Sequence, residues 1–265
     1  MRSRSEWLFV AFAVVLLGDC MAAPDPKTTS LTAGGYSIMR RGVGTPAVVF
    51  ESGLGGSKES WVKVYSVIAS DHMAFAYDRP GMGKSPGTQR LRDGETIVED
   101  LRTLLRSEGL APPYVLVGHS AGGLYFQLFA RRHPEEVAGL VLVDPTHPTS
   151  FEGEGAIEKR GALSNFIVAT AMSWPMKAEF AALNETGREV LEAPNMPARI
   201  PCVILVAPDM SRSAFAKFDN AKRADFRNLY PNANVRDVQG GHDLPRSNPA
   251  VVIDAVNEVI KRLPR

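Results

Sequence analysis

From about residue 36 onward, short continuous apolar runs alternate with segments of helical spacing, and loops bearing glycine or proline separate them. Ala47–Phe50, Met73–Tyr77, Val115–Val117, Ala138–Val143 and Val203–Val206 are unbroken rather than alternating, as expected of strands buried on both faces. Tyr36–Arg40 and Val235–Val238 add a first and a last strand. A helical pattern surrounds Trp61 to Ile68. In the next helix Ile97, Val98, Leu101, Leu104 and Leu105 share one face, and Gly109 ends it. Leu124, Phe126, Leu128 and Phe129 are apolar on more than one side, which predicts a deeply buried helix. Ala214–Tyr230 reads as a polar-faced helix. Asn248 as N-cap with Pro249 at the first helical position opens a last helix carrying Val252, Val256 and Val259. This alternation predicts the α/β class, with a mostly parallel, doubly wound sheet covered on both faces.

The rhythm breaks twice. From about 149 to 199 there is no clear strand, and Met172, Trp174, Met176, Phe180 and Leu183 stand among glycine and proline breaks. That is too long for an ordinary connection and predicts a small helical cap inserted over the sheet. Residues 24–34, rich in Pro, Thr, Ser and Gly, predict a flexible lead-in.

Residues 1–23 read differently again. Arg2 and Arg4 precede an apolar run from Trp7 to Leu17, and small residues then lead through Ala22 to Pro24. This is the layout of a secretory signal peptide, so the expected location is secreted or periplasmic. The run is short for a membrane span, and an uncleaved anchor is the competing reading. Lipidation at Cys20 is disfavoured by Asp19 before it. Export leaves Cys202, in an apolar strand, without a partner cysteine, and it reads as a small buried hydrophobe. The expected domain is therefore residues 24–265, long enough for one large core. A net charge of +1 gives no reason to expect a nucleic acid partner. Membrane contact is expected only through the N-terminal segment.

Candidate chemistry centres on Gly118-His119-Ser120-Ala121-Gly122, which lies between a predicted strand and a predicted helix. A serine in that context sits on a sharp turn with its hydroxyl exposed, and Gly118 and Gly122 let strand and helix approach. Glu51-Ser52-Gly53-Leu54-Gly55-Gly56, after an earlier buried strand, offers backbone N–H groups to a developing negative charge. Asp78–Ser85 ends in Gly-Lys-Ser like a phosphate loop, but Asp78 stands where that loop needs glycine and Pro86-Gly87 breaks the helix it needs. A turn held by Asp78 is the expectation. A serine nucleophile requires a base. Of five histidines, His242 lies in a glycine-bearing loop after the last strand, where catalytic groups gather, and comes last in the chain as required. His119 is on the wrong side of the turn; His147 follows a strand end. Two aspartates fit as the acid: Asp209, past the strand ending at Val206, is favoured over Asp144, past the strand ending at Val143. No histidine or cysteine spacing suggests a metal, and no cofactor motif is present.

Taken together, the Gly53–Gly56 loop, the Asp78–Ser85 turn, the Gly118–Gly122 elbow and His242 resemble the α/β-hydrolase fold superfamily, in a capped, single-domain form covering about residues 36–263. The resemblance implies that Ser120 is the nucleophile, that the N–H groups of Leu54 and Ala121 form an oxyanion hole, and that Asp209 is the acid. Ala207-Pro208-Asp209 is tighter than the family's usual turn, which keeps Asp144 open. The implied function is a serine hydrolase cleaving an ester-like bond of a small acyl substrate. Peptidase or amidase, lactonase, thioesterase and acyltransferase activities are alternatives on the same fold, and an inactive binding protein is a more distant one. Oligomeric state has no signature in the sequence.

Overall fold

The continuous apolar runs become the middle of one eight-stranded sheet. In the computed structural model, which describes residues 29–32, 34–156, 170, 172–211 and 213–264, the strands are β1 (Thr29–Leu31), β2 (Ser37–Arg41), β3 (Val48–Glu51), β4 (Ala74–Tyr77), β5 (Tyr114–His119), β6 (Val137–Val143), β7 (Cys202–Val206) and β8 (Asn234–Asp237). Their order across the sheet is β1-β2-β4-β3-β5-β6-β7-β8. Only β1 and β2 are antiparallel to their neighbours; β4 through β8 run parallel.

Alternate side chains of each central strand enter opposite cores. Val49, Leu116, Leu140 and Ile204 face one side with α2 (Gly94–Ser107), α3 (Ala121–Arg132) and α4 (Trp174–Glu192). Val48, Val117, Val141 and Leu205 face the other, with α1 (Val62–Asp71) and α6 (Pro249–Lys261). α5 (Ala214–Leu229) follows β7. The expected helix α2 is capped by Asp93, whose side chain accepts from Thr96 N at 2.8 Å, and ends before Gly109 at φ +68°. α6 starts at Pro249 as expected, but Asn248 does not cap it through its side chain; its Nδ2 donates to Gln239 O at 2.9 Å instead.

The lead-in differs from its expectation. Residues 24–34 were to be a flexible lead-in, yet Thr29–Leu31 pairs with β2 as an edge strand. Three residues without an apolar alternation carry no strand signal, and the neighbouring strand supplies the order. The cap insertion is described only in part, since 157–169 and 171 lie outside the described residues. Its helix α4 packs on α2 and α3, and its first turn lies over the glycine loops. A β-carbon on Gly55 would come 2.8 Å from Met176, and one on Gly81 2.6 Å from Pro175 Cβ. The proposed leader, residues 1–23, also lies outside the described residues. No described helix is long and apolar enough to cross a membrane.

Because β3 to β8 are parallel, their carboxyl ends share one edge of the sheet. The register pairs Glu51 with Gly118, His119 with Val143, Val143 with Leu205 and Val206 with Asp237. The loops at 52–57, 78–85, 120, 144–149, 207–213 and 238–243 therefore leave from that edge.

Candidate active site

Ser120 joins β5 to α3 with φ +54° and ψ −121°, a conformation costing a residue with a β-carbon on the order of 1–3 kcal/mol. The surroundings hold it: Ser120 N donates to Val143 O at 3.1 Å, while its carbonyl accepts from Leu124 N at 3.2 Å and Thr146 N at 3.0 Å. Space around the turn leaves no room for side chains. A β-carbon on Gly118 would lie 2.6 Å from Gly122 O, and one on Gly122 2.5 Å from Glu51 O. Gly53 runs against the elbow too, its position for a β-carbon being 3.1 Å from Ser120 Cβ. This brings the Leu54 loop to the serine. Ala121 is the first residue of α3, so its N–H points out of the helix start rather than into its ladder.

His242 occupies the loop after β8, behind Gly240 and Gly241 at φ +137° and +71°. Its Nε2 is 2.9 Å from Ser120 Oγ and its Nδ1 is 2.6 Å from Asp144 Oδ2. The acid position thus departs from the favoured expectation: Asp144, the alternative, meets the histidine and Asp209 does not. Asp209 is exposed, its Oδ1 accepts from Ser211 N at 2.7 Å, and its backbone N–H and carbonyl are both held by the Asn220 side chain. Those bonds form a local turn, the common use of an aspartate after a proline. The backbone at that strand end is instead turned to Asp144, since Ala207 N donates to Asp144 Oδ1 at 2.9 Å.

Asp144 itself has φ +37° and is buried. Burial works against its ionisation, but hydrogen bonds from His242 and Arg223, then their charges, outweigh burial and hold its carboxyl well below the usual range. Arg223, on α5, donates from Nε to Oδ1 at 2.8 Å and from Nη2 to Oδ2 at 3.0 Å. Nothing in the sequence pattern singled out Arg223.

His119 was set aside as a base, and the site uses it otherwise. Its ring centroid is 4.8 Å from that of His242, and its Nε2 lies 2.8 Å from the His242 carbonyl oxygen. A carbonyl only accepts, so Nε2 carries the proton. Burial, and next the proximity of His242, lower its pKa to about 3 and keep it neutral. His147, also at the correct edge, faces Thr149 and Asp225 instead of Ser120.

Beneath the Leu54 loop lies a buried ion cluster that the sequence reading missed. Arg79 donates to the carbonyls of Ser52 (2.7 Å) and Gly53 (2.8 Å), to Glu51, and through Nε and Nη2 to Glu179 on α4 at 2.9 and 2.8 Å. Arg92 also meets Glu179, and Tyr77 donates its hydroxyl to Glu51. Burial pushes Glu51 up despite Arg79. Glu179, facing two guanidinium groups, is lowered against burial. The available signal was Glu51 itself, a charge ending a wholly apolar run, which burial obliges to find a partner. The Asp78 turn matches its expectation: the carboxylate accepts from Lys58 N, Lys58 Nζ and Lys84 N at 2.8, 2.8 and 2.9 Å. Cys202 is buried in β7, and burial raises its thiol to about 12. Among the described residues no group of three or more His, Cys, Asp or Glu is placed to hold a metal ion.

This order of strands, with the elbow after β5 and the histidine after the last strand, is that of the α/β-hydrolase fold, and the model of that fold family matches residues 46–166. Among proteins of similar sequence, the uncharacterised YqjL of Bacillus subtilis (strain 168) is 36% identical over 106 residues, covering 40% of this chain and 42% of that one. YbdG of the same organism is 28% identical over 235 residues, covering 84% of this chain and 66% of YbdG. The chain thus spans less than two thirds of the length of both. Among solved structures, a thermophilic esterase from Thermogutta terrifontis superposes with a TM-score of 0.61 at 20% identity, over 89% of this chain and 97% of that one. The chain has the α/β-hydrolase fold.

Proposed function

We propose that this protein is a serine hydrolase that cleaves an ester-like bond of a small acyl substrate, with Ser120 as nucleophile, His242 as base and Asp144 as acid. The observation that carries the reading is the continuous hydrogen-bonded line from Ser120 Oγ through both ring nitrogens of His242 to Asp144, at 2.9 and 2.6 Å. A hydroxyl is a poor nucleophile until a neighbouring base takes its proton. His242 Nε2 takes it as Oγ attacks the carbonyl, and the ionised Asp144 steadies the imidazolium that results. The N–H groups of Leu54 and Ala121 meet the oxyanion, helped by the positive end of α3. His242 then gives its proton to the leaving alcohol, and water activated by the same ring frees the acyl group.

The test is labelling with a fluorophosphonate probe. Wild-type protein is expected to react at one site and Ser120→Ala not at all. Absence of labelling, or equal labelling of the variant, would overturn the reading. A panel of acyl esters, lactones, thioesters and aminoacyl amides then selects the leaving group, and an added alcohol acceptor distinguishes transfer from hydrolysis. Export belongs to the same proposal and rests on the Arg2–Ala23 pattern alone. Protein recovered from outside the cytoplasm should begin just after Ala22, and an unprocessed N-terminus there would count against it.

A further inference from the structure

The line of contacts does not stop at Asp144. A carboxylate has about four acceptor positions, and here four donors fill them. Ala207 N and Arg223 Nε share Oδ1, while Arg223 Nη2 and His242 Nδ1 share Oδ2. The guanidinium thus grips both oxygens in the forked geometry that lysine cannot supply, and the carboxylate cannot turn about its own bond without breaking both arms. Its grip matters because Asp144 sits at φ +37°, a backbone conformation that persists only when the surroundings over-determine it. Behind the guanidinium, Nη1 meets Asp219 Oδ2 at 3.0 Å, one turn earlier on α5. Arg223 is therefore a positive charge one carboxylate away from the ring that must become positive during the reaction.

Resting on the serine-hydrolase reading, we propose that Arg223 is a positioning residue of this site: its fork fixes Asp144 against His242 Nδ1, which leaves Nε2 aimed at Ser120. A cation without the fork would hold one oxygen and leave the carboxylate free to turn. Asp219 holds the guanidinium from behind and helps keep both arms on Asp144. A strut that merely docked α5 onto the sheet would not depend on the fork.

The experiment is kcat and KM on an activated ester for wild type, Arg223→Gln, Arg223→Lys and Asp219→Asn, with circular dichroism to confirm that each folds and fluorophosphonate labelling to confirm that wild-type Ser120 reacts. Arg223→Lys keeps the charge and loses the fork, so its kcat is expected to fall about tenfold while its KM stays within about twofold of wild type. Arg223→Gln loses both and is expected to fall further, whereas Asp219→Asn, on a partly exposed side chain, should lose only about twofold. A folded Arg223→Lys with wild-type kcat, or a loss in Arg223→Gln carried by KM alone, would overturn the proposal. If Arg223→Gln does not fold, Arg223→Lys decides it. Failure of wild type to label would instead count against the serine-hydrolase reading.

Discussion

Replacing Asp144 by asparagine keeps the shape of the side chain and changes only what its two ends can do. At the Oδ1 end two donors wait, Ala207 N at 2.9 Å and Arg223 Nε at 2.8 Å. At the Oδ2 end wait Arg223 Nη2 at 3.0 Å and the His242 ring at 2.6 Å. An amide has one acceptor end. Placing its carbonyl at Oδ2 would set the NH2 against two fixed donors; placing it at Oδ1 sets the NH2 against one fixed donor and a ring that can adapt. Each buried donor left facing a donor costs about 1–3 kcal/mol, so the second arrangement wins. The NH2 then donates to Nδ1, which forces the ring proton onto Nε2, and Nε2 faces Ser120 Oγ as a donor. The base has become unable to accept.

A misplaced tautomer of this kind reduces kcat by about 10³–10⁴, or about 4–5 kcal/mol in the barrier. Asp209→Asn should differ little from wild type, within about twofold, because an asparagine oxygen can still accept from Ser211 N. The assay is hydrolysis of an activated ester at saturating substrate, with circular dichroism to confirm folding. A folded Asp144→Asn retaining more than a tenth of wild-type kcat, or a loss of orders of magnitude in Asp209→Asn, would refute the assignment.

Two further predictions concern stability. His119 has a folded pKa of about 3 against an ordinary value of 6.5, so between those values the unfolded chain binds a proton that the folded one does not. Stability from this group is present above about pH 6.5 and is lost on acidification by up to about 1.4 kcal/mol per pH unit. Urea midpoints from pH 7 to 4.5 should fall less steeply in His119→Gln, and equal slopes would count against the buried neutral ring. Glu179→Gln leaves the buried guanidinium of Arg79 with Glu51 as its remaining bonded carboxylate and takes from Arg92 the carboxylate it bonds. That should cost about 3–5 kcal/mol and lower the melting temperature by about 10 °C; a shift under 2 °C would show that the cluster contributes little.

The parts of the fold legible in the sequence were those where one physical cause dominates. Val48–Phe50, Val115–Val117 and Val203–Val206 announce buried parallel strands because both faces are covered, and no polar position interrupts them. Ser120 and His242 were legible because chain order and glycine context constrain them. What escaped was pairwise. Nothing local marks Thr29–Leu31 as a strand, since its order comes from β2. Arg79 and Glu179 are 100 residues apart, and neither looks buried until the other is placed beside it. His119 looked idle because its work is to brace a carbonyl 123 positions later.

Which of the two strand-end aspartates meets His242 is something counting strands could not have resolved. β6 and β7 are parallel neighbours, so their ends lie about 4.8 Å apart. The bonds Asp144 N to Leu205 O at 2.7 Å and Ala207 N to Asp144 Oδ1 show the two ends meeting. From either end an aspartate could serve the same histidine. What separates the candidates is α5, which presents two side chains less than a full turn apart with different effects. Asn220 ties down the backbone of residue 209 in its own exposed turn, while Arg223 grips the carboxylate of Asp144. The aspartate that can stay ionised when buried is the one with a guanidinium to share its oxygens. Choosing between two strand-end aspartates therefore means asking which of them the following helix supplies with a cation, and in this chain that helix carries its arginine at 223.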